Sequence, residues 1–431
     1  MESESILSHR QRRNAMSFAI LSSCFGAVSV ATMRDSSVIL LYATVLGAGE
    51  FFSMFTTAIQ PLAIFLLVLP FAHLMERTRK KSIMMGSLLV CTVAFMGVAA
   101  AGFAGARGRC VMILCLTVFA AMMSIYTAGW MPLLRSLVPD RQAGRFFGRQ
   151  RLSVQVVSTG FLLFTSLVVG SKASLPAIQL ILAIAGFFVL GRLAFLSRIP
   201  ETNSFSTAPS FLHSVQIALA NKQLMRFSGY LFLLSFLSGS GIAVTFLFAN
   251  RELAVPDSYL ILLTLGANIG AIIGYGVAGR LCDRCPTGVL LLVCHLLFFL
   301  LNLCLFMMYR NTISTLIAIF VIVSVYGAAK AFLVVTASSG MFPLVGLDNP
   351  NIRIGLWYTF FAAGTSLSRI LAGLLLNSGR LLRQWTLGRP QGTEYRVLFL
   401  IFALGLGISA VFSLTRIRMW DGAGDGKSPR G

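Results

Sequence analysis

Long apolar runs alternate with short polar turns along the whole chain. A helix needs about 20 predominantly apolar residues to cross a hydrocarbon core. Twelve stretches qualify: residues 15–46, 50–74, 82–105, 110–136, 151–170, 175–197, 225–249, 258–280, 288–309, 312–336, 355–377 and 395–417. The pattern predicts an all-α integral membrane protein with twelve transmembrane helices. The first run is irregular, because Met33-Arg34-Asp35-Ser36-Ser37 interrupts it. The piece left before Gly47-Ala48-Gly49-Glu50 is too short to cross alone. The run therefore reads as one long helix with polar residues inside the membrane. Glu201 to Pro209 is polar and breaks the helical pattern. A short amphipathic run follows, with Phe211, Leu212, Val215, Ala218 and Leu219 on one face. It reads as a linker lying along the inner membrane surface, in contact with lipid.

Composition removes the alternatives. Of 431 residues, 57% are hydrophobic and only 11% charged, and mean hydropathy is +0.83. Neither a soluble globule nor a disordered chain has this balance. The net charge of +21 would suit nucleic acid, but there is little polar surface to build such a platform. Basic loops on a membrane protein account for both numbers, so no nucleic-acid partner is expected. With both termini inside, twenty-three of the 35 Lys and Arg fall in inner segments and nine in outer ones; Arg34, Lys330 and Arg369 lie within runs. Arg192 counts with the inner charges. The bias predicts cytoplasmic termini. Arg10, Arg12 and Arg13 precede an apolar run too long for a cleaved signal, which reads as a retained first helix. Five of the eight cysteines lie within apolar runs, and Cys282 and Cys285 form a lone C-x-x-C without further ligands nearby. No metal and no cofactor is expected.

Two loops reveal a repeat. The loop after the second run reads Ala72-His73-Leu74-Met75-Glu76-Arg77-Thr78-Arg79-Lys80-Lys81, and that after the eighth reads Gly279-Arg280-Leu281-Cys282-Asp283-Arg284-Cys285-Pro286. Glu76 and Asp283 are 207 residues apart; Asp140 and Asp348, after the fourth and tenth runs, are 208 apart. This argues for a six-helix unit duplicated in parallel. The halves are then residues 1–200 and 225–417, joined by a cytoplasmic linker at 201–224 and followed by a tail at 418–431.

On these residues the chain resembles the major facilitator superfamily of transporters. That family carries G-x-L-x-D-R-x-G-R-[KR] after its second helix and a degenerate copy after its eighth. The second copy here keeps Gly279, Leu281, Asp283 and Arg284. The first keeps Leu74, Arg77, Lys80 and Lys81, with Ala72, Glu76 and Arg79 at the Gly, Asp and second Gly positions. Arg141-Gln142-Ala143-Gly144-Arg145 resembles the family's R-x-x-G-R loop between helices four and five. The resemblance implies two six-helix pseudo-symmetric halves and a gate at the inner face built from Glu76, Arg77, Arg141, Arg145, Asp283 and Arg284. A carboxylate there can pair with arginines or with a neighbouring helix N-terminus. For Arg79, Lys80 and Lys81, fixing orientation is a sufficient role.

Charges inside the runs point to a site. An ionisable residue at mid-membrane costs about 2.5–3.5 kcal/mol on insertion scales, so it marks function by default. The resemblance implies that helices 1, 4, 7 and 10 line a central cavity, which makes Arg34 and Asp35 in run 1 and Lys330 in run 10 the informative set. Tyr326 lies one turn before Lys330, and Tyr126 and Trp130 are one turn apart in run 4. A cation suits a carboxylate or phosphate, and an aromatic face suits a ring. Asp35 and Lys330 could equally form an interhelical salt bridge. Arg369 reads as bundle or gate support, His295 as a core histidine, and Glu50 as an outer-interface residue. Arg34, Asp35 and Lys330 together carry a net positive charge, which favours anions. The expectation is a secondary active transporter for an organic anion or sugar-type metabolite, with a proton as coupling ion through Asp35. It would act as a monomer in a bacterial inner membrane. No G-x-x-x-x-G-K-[ST] loop and no catalytic set is present, so neither an ATPase nor another enzyme is expected. A transporter-like solute sensor and a drug or metabolite efflux pump remain the alternatives.

Overall fold

The structure is a computed structural model and describes residues 8–33, 37–138, 143–170, 174–200, 210–282, 284–308, 311–345, 350–378 and 393–414. These residues are almost entirely helical. In chain order the helices are α1 (His9–Met33), α2 (Ser37–Val45), α3 (Glu50–Arg77), α4 (Lys80–Ala100), α5 (Gly108–Leu137), α6 (Ala143–Val169) and α7 (Leu175–Leu196). Then come α8 (Phe211–Ala220), α9 (Lys222–Ser238), α10 (Gly241–Arg251), α11 (Asp257–Leu281), α12 (Thr287–Met307), α13 (Ile313–Val345), α14 (Pro350–Asn377) and α15 (Thr393–Leu414).

Eleven helical stretches among the described residues are long and apolar enough to cross a membrane. One of them, Lys80–Trp130, is 51 residues long and passes through a 3-10 turn at Ala101–Arg107, where Gly105 has φ 55°. The outer surface of the bundle is apolar: Phe103 and Leu167 are each 84% exposed. Such a surface is stable only against lipid, and helices are the structures that satisfy their backbone there. Pro61 and Pro70 sit inside α3, which a bundled membrane helix tolerates.

The first run is described as α1 up to Met33 and α2 from Ser37; residues 34–36, where its polar interruption falls, lie outside the described residues. The seventh run is divided. The hydropathy pattern predicts it unbroken over 225–249, but α9 ends at Ser238 and α10 starts at Gly241. Ser238-Gly239-Ser240-Gly241 supplies weak helix formers there. The amphipathic helix α8 buries Ser214 and Ala218, while Leu212 is 71% exposed. Val215 and Ala218 pack with Leu69, Ile352, Leu356 and Phe360, and His73 meets the Phe211 ring at 5.4 Å. The buried side thus faces α3 and α14, and the exposed leucine is left for lipid.

Small residues set the tightest contacts. Gly266, Gly270 and Gly274 repeat every fourth residue on α11. A Cβ at Gly270 would lie 1.8 Å from the Ser324 carbonyl oxygen, and one at Gly274 would lie 2.2 Å from that of Ala328. On α13, a Cβ at Gly327 would lie 2.0 Å from the Ala267 carbonyl oxygen. Backbone-to-backbone packing of this kind replaces the hydrophobic drive that lipid removes. The longest other interface joins α3 to α14, and α6 packs on α11. Among the described residues, α5 and α13 do not pack along one another.

Candidate functional site

Arg192 brings α1, α5 and α7 together. It lies four residues before the end of α7 and is only 8% exposed. Its guanidinium carbon sits 3.6 Å from the centre of the Tyr126 ring on α5, a cation–π contact at short range. Tyr126 in turn stacks on Trp130, with centroids 5.3 Å apart and planes at 22°. The i, i+4 spacing predicted that pair to share a face. Room for the guanidinium comes from Gly26 on α1, where a Cβ would lie 2.5 Å from the Arg192 side chain. The Ser22 hydroxyl donates to the Arg192 carbonyl at 3.1 Å, which ties α1 to α7. The sequence places Arg192 with the loop charges because it is near a helix end. Its neighbours Leu190-Gly191 and Leu193 were the signal that it belongs to the apolar run.

Tyr326 and Lys330 lie one turn apart on α13. The Tyr326 hydroxyl is buried and donates to the Ser238 carbonyl at 2.8 Å. That carbonyl is one of those freed where α9 stops. A Cβ at Gly241 would lie 2.1 Å from the Tyr326 hydroxyl oxygen, so the glycine lets the phenol reach the break. Lys330 is half-buried.

Arg369 lies on α14, 1% exposed. Its Nε donates to the Gly239 carbonyl at 3.2 Å and its Nη1 to the Thr57 carbonyl at 2.5 Å. One guanidinium therefore joins α14, α3 and the α9–α10 break. Beside it, the Ser368 hydroxyl donates to Ser240 Oγ at 3.0 Å.

A third group sits where α2 and α10 end and α3 begins. Arg251 Nη1 and Glu50 Oε1 form an ion pair at 2.7 Å, and Arg251 Nη2 donates to the Ala48 carbonyl at 2.8 Å. Nearby, the Ser37 amide donates to Thr264 Oγ1 at 3.2 Å, and the Thr264 hydroxyl donates back to Ser37 Oγ at 2.9 Å. Gln155 Nε2 on α6 donates to Asn268 Oδ1 on α11 at 2.6 Å. This uncharged pair was not singled out in the sequence.

The remaining predicted residues divide into three sets. Arg34, Asp35, Arg141 and Asp283 lie outside the described residues. Glu76, Arg77 and Arg145 lie in helices, but their side chains are outside the description. Arg284 is exposed in the turn after α11. Lys81 donates to the Ser197 carbonyl at 2.7 Å, a cation at the C-terminal end of α7. His295 is fully buried, with Nε2 3.0 Å from Ser409 Oγ and Nδ1 2.9 Å from Tyr230 Oη.

No family model matches the chain, and no curated protein does. Solved structures do match, over nearly the full length. The nucleoside transporter NupG superposes with a TM-score of 0.67 at 14% identity, covering 94% of this chain and 99% of that one. A POT family transporter, solved with a thioalcohol-conjugated peptide, gives 0.70 at 12% identity, covering 94% and 96%. A bacterial homologue of the human lysosomal transporter Spinster, inward-facing and unoccupied, gives 0.67 at 15% identity, covering 98% and 100%. The fold is thus that of major facilitator-type membrane transporters.

Proposed function

We propose that this chain is a secondary active transporter that moves a small solute by alternating access. Dividing the 51-residue stretch at the Gly105 turn gives twelve spans in two pseudo-symmetric halves, α1 to α7 and α9 to α15. Packing supports this pairing. In the first half α1 packs on α6 and α7, and α4 on α7; in the second α9 packs on α14 and α15, and α12 on α15. The first crossing of the second half is divided into α9 and α10.

One observation carries the mechanism. Glu50–Arg251 and Ser37–Thr264 join the two halves at one end, while among the described residues the central helices α5 and α13 do not pack along one another. With both termini cytoplasmic in an inner membrane, the joined end is the outer one, so these contacts belong to a state closed on the outside. Rocking about the α3–α14 and α6–α11 interfaces would reverse this. Glu76, Arg77, Arg141, Arg145, Asp283 and Arg284 would close the inner face in the opposite state. The substrate we favour is an organic anion or sugar-type metabolite. Arg34, Lys330 and Arg369 outnumber Asp35 among the charges in the spans, and Tyr126, Trp130 and Tyr326 supply aromatic surface. Asp35 is the proton-coupling group in this reading.

Flux into proteoliposomes under an imposed pH gradient tests the reading. Sugar acids, sugar phosphates, dicarboxylates, neutral sugars and cationic drugs form the panel. Saturable, gradient-driven uptake of an anionic or sugar solute is the expected result. Asp35→Asn should abolish pH-driven accumulation and spare exchange; unchanged accumulation removes Asp35 from coupling. Solute binding without flux for any class would make the chain a sensor.

A further inference from the structure

Arg192 carries a charge into the bundle and meets no carboxylate among the described residues. Its Nε is buried without a hydrogen-bond partner, and its Nη1 reaches only the Met123 sulfur, at 3.9 Å. The Tyr126 hydroxyl is also buried and unpartnered. Ser22 and Arg192 approach that hydroxyl without completing hydrogen-bond geometry. Two donors, an N–H and an O–H, are therefore left unused beside each other, and an acceptor with two oxygens would satisfy both. A cation–π prop alone does not explain this arrangement, since a phenylalanine ring at position 126 would hold the guanidinium equally well. Trp130 stacks on the same tyrosine and is partly exposed. The group is thus buried at the cation and accessible at the indole. A buried donor without a partner calls for an explanation, and here two of them belong to one cation–π pair.

We propose that Arg192, Tyr126 and Trp130 form a subsite for an aromatic oxyanion, a carboxylate or a phosphate monoester carried on a ring. Arg192 Nε–H and Tyr126 O–H donate to two oxygens of the anionic group, and the Trp130 indole stacks the ring. The inference rests on the transporter reading and moves recognition of the negative group onto α5 and α7.

Binding to the purified full-length protein is read by tryptophan fluorescence and by thermal shift. Benzoate and phenyl phosphate are the probes, and benzamide is the neutral isostere. The wild type should bind one or both oxyanions and not benzamide. The relative strength of benzoate and phenyl phosphate separates carboxylate from phosphate recognition. Tyr126→Phe keeps the ring and the Arg192 stack, and should weaken binding by about tenfold, the equivalent of one hydrogen bond. Arg192→Gln should abolish binding. Arg192→Lys keeps the charge but loses the planar fork, and should weaken binding if the glutamine variant fails to fold. Arg107→Gln, an exposed arginine outside the group, should leave affinity unchanged. Equal oxyanion affinity in wild type, Tyr126→Phe and Arg192→Lys would overturn the subsite while leaving anion transport standing. Binding of neither oxyanion by the wild type would overturn the aromatic-oxyanion assignment. The proteoliposome flux panel decides the transporter reading separately.

Discussion

At the scale of single residues, two glycines decide where large polar side chains go. Gly26 leaves the space that Arg192 fills against Tyr126, and Gly241 leaves the space through which Tyr326 reaches the Ser238 carbonyl. Neither glycine is demanded by a turn or a positive φ; each is required by what crosses over it. Gly26→Ala should push the guanidinium off the Tyr126 ring and destabilise the fold by about 1–3 kcal/mol, as overpacking does. A thermal melt measures this. In a double-mutant cycle, Gly26→Ala and Arg192→Gln should be strongly non-additive, because both act on one contact. Additive losses would mean that Gly26 serves something other than Arg192. Arg192 itself was hidden in the sequence by its position. A cation four residues from the end of an apolar run has the same local pattern whether it reaches out to water or folds back into the bundle.

At the scale of elements, α11 carries both critical and idle glycines. Gly270 faces the α13 backbone at a distance that admits no Cβ, whereas Gly276 has nothing within 4 Å. Gly270→Ala should therefore separate α11 from α13 and lower the melting temperature sharply. Gly276→Ala should be neutral or stabilise by about 0.5–1 kcal/mol through helix propensity. Comparable melts for the two variants would contradict the packing. The same logic explains the division of the seventh run. Its hydropathy satisfies the length rule, and hydropathy is blind to backbone breaks. The Ser-Gly-Ser-Gly sequence permits a break, but Tyr326, Ser368 and Arg369 supply the partners that make it stable. Those partners come from α13 and α14, far along the chain. Similarly, which residues of α8 turn inward depends on α3 and α14.

For the whole molecule, the Glu50–Arg251 pair joins elements 201 residues apart. A half-buried ion pair of this kind contributes on the order of 1 kcal/mol to folding. Between two conformations of similar free energy, the same amount shifts populations several-fold. Glu50→Gln combined with Arg251→Gln should leave the melting temperature nearly unchanged and increase the outward-open population. Spin-label distances between the ends of α3 and α10 would report that shift. An unchanged distance distribution would remove the pair from gating.

The sequence by itself determined that this is a helical membrane protein and located the helices long and apolar enough to cross, because bilayer thickness imposes a length on each apolar run. It also placed Tyr126 beside Trp130 and Tyr326 near Lys330, because helical spacing is local. Tertiary structure alone decided what those side chains meet. It put Arg192 on Tyr126, Tyr326 on a broken helix end, and Arg369 between α3, α14 and the α9–α10 break. The physical reason is that mid-membrane polar groups must find partners within the protein. The partners sit on helices that only packing brings together.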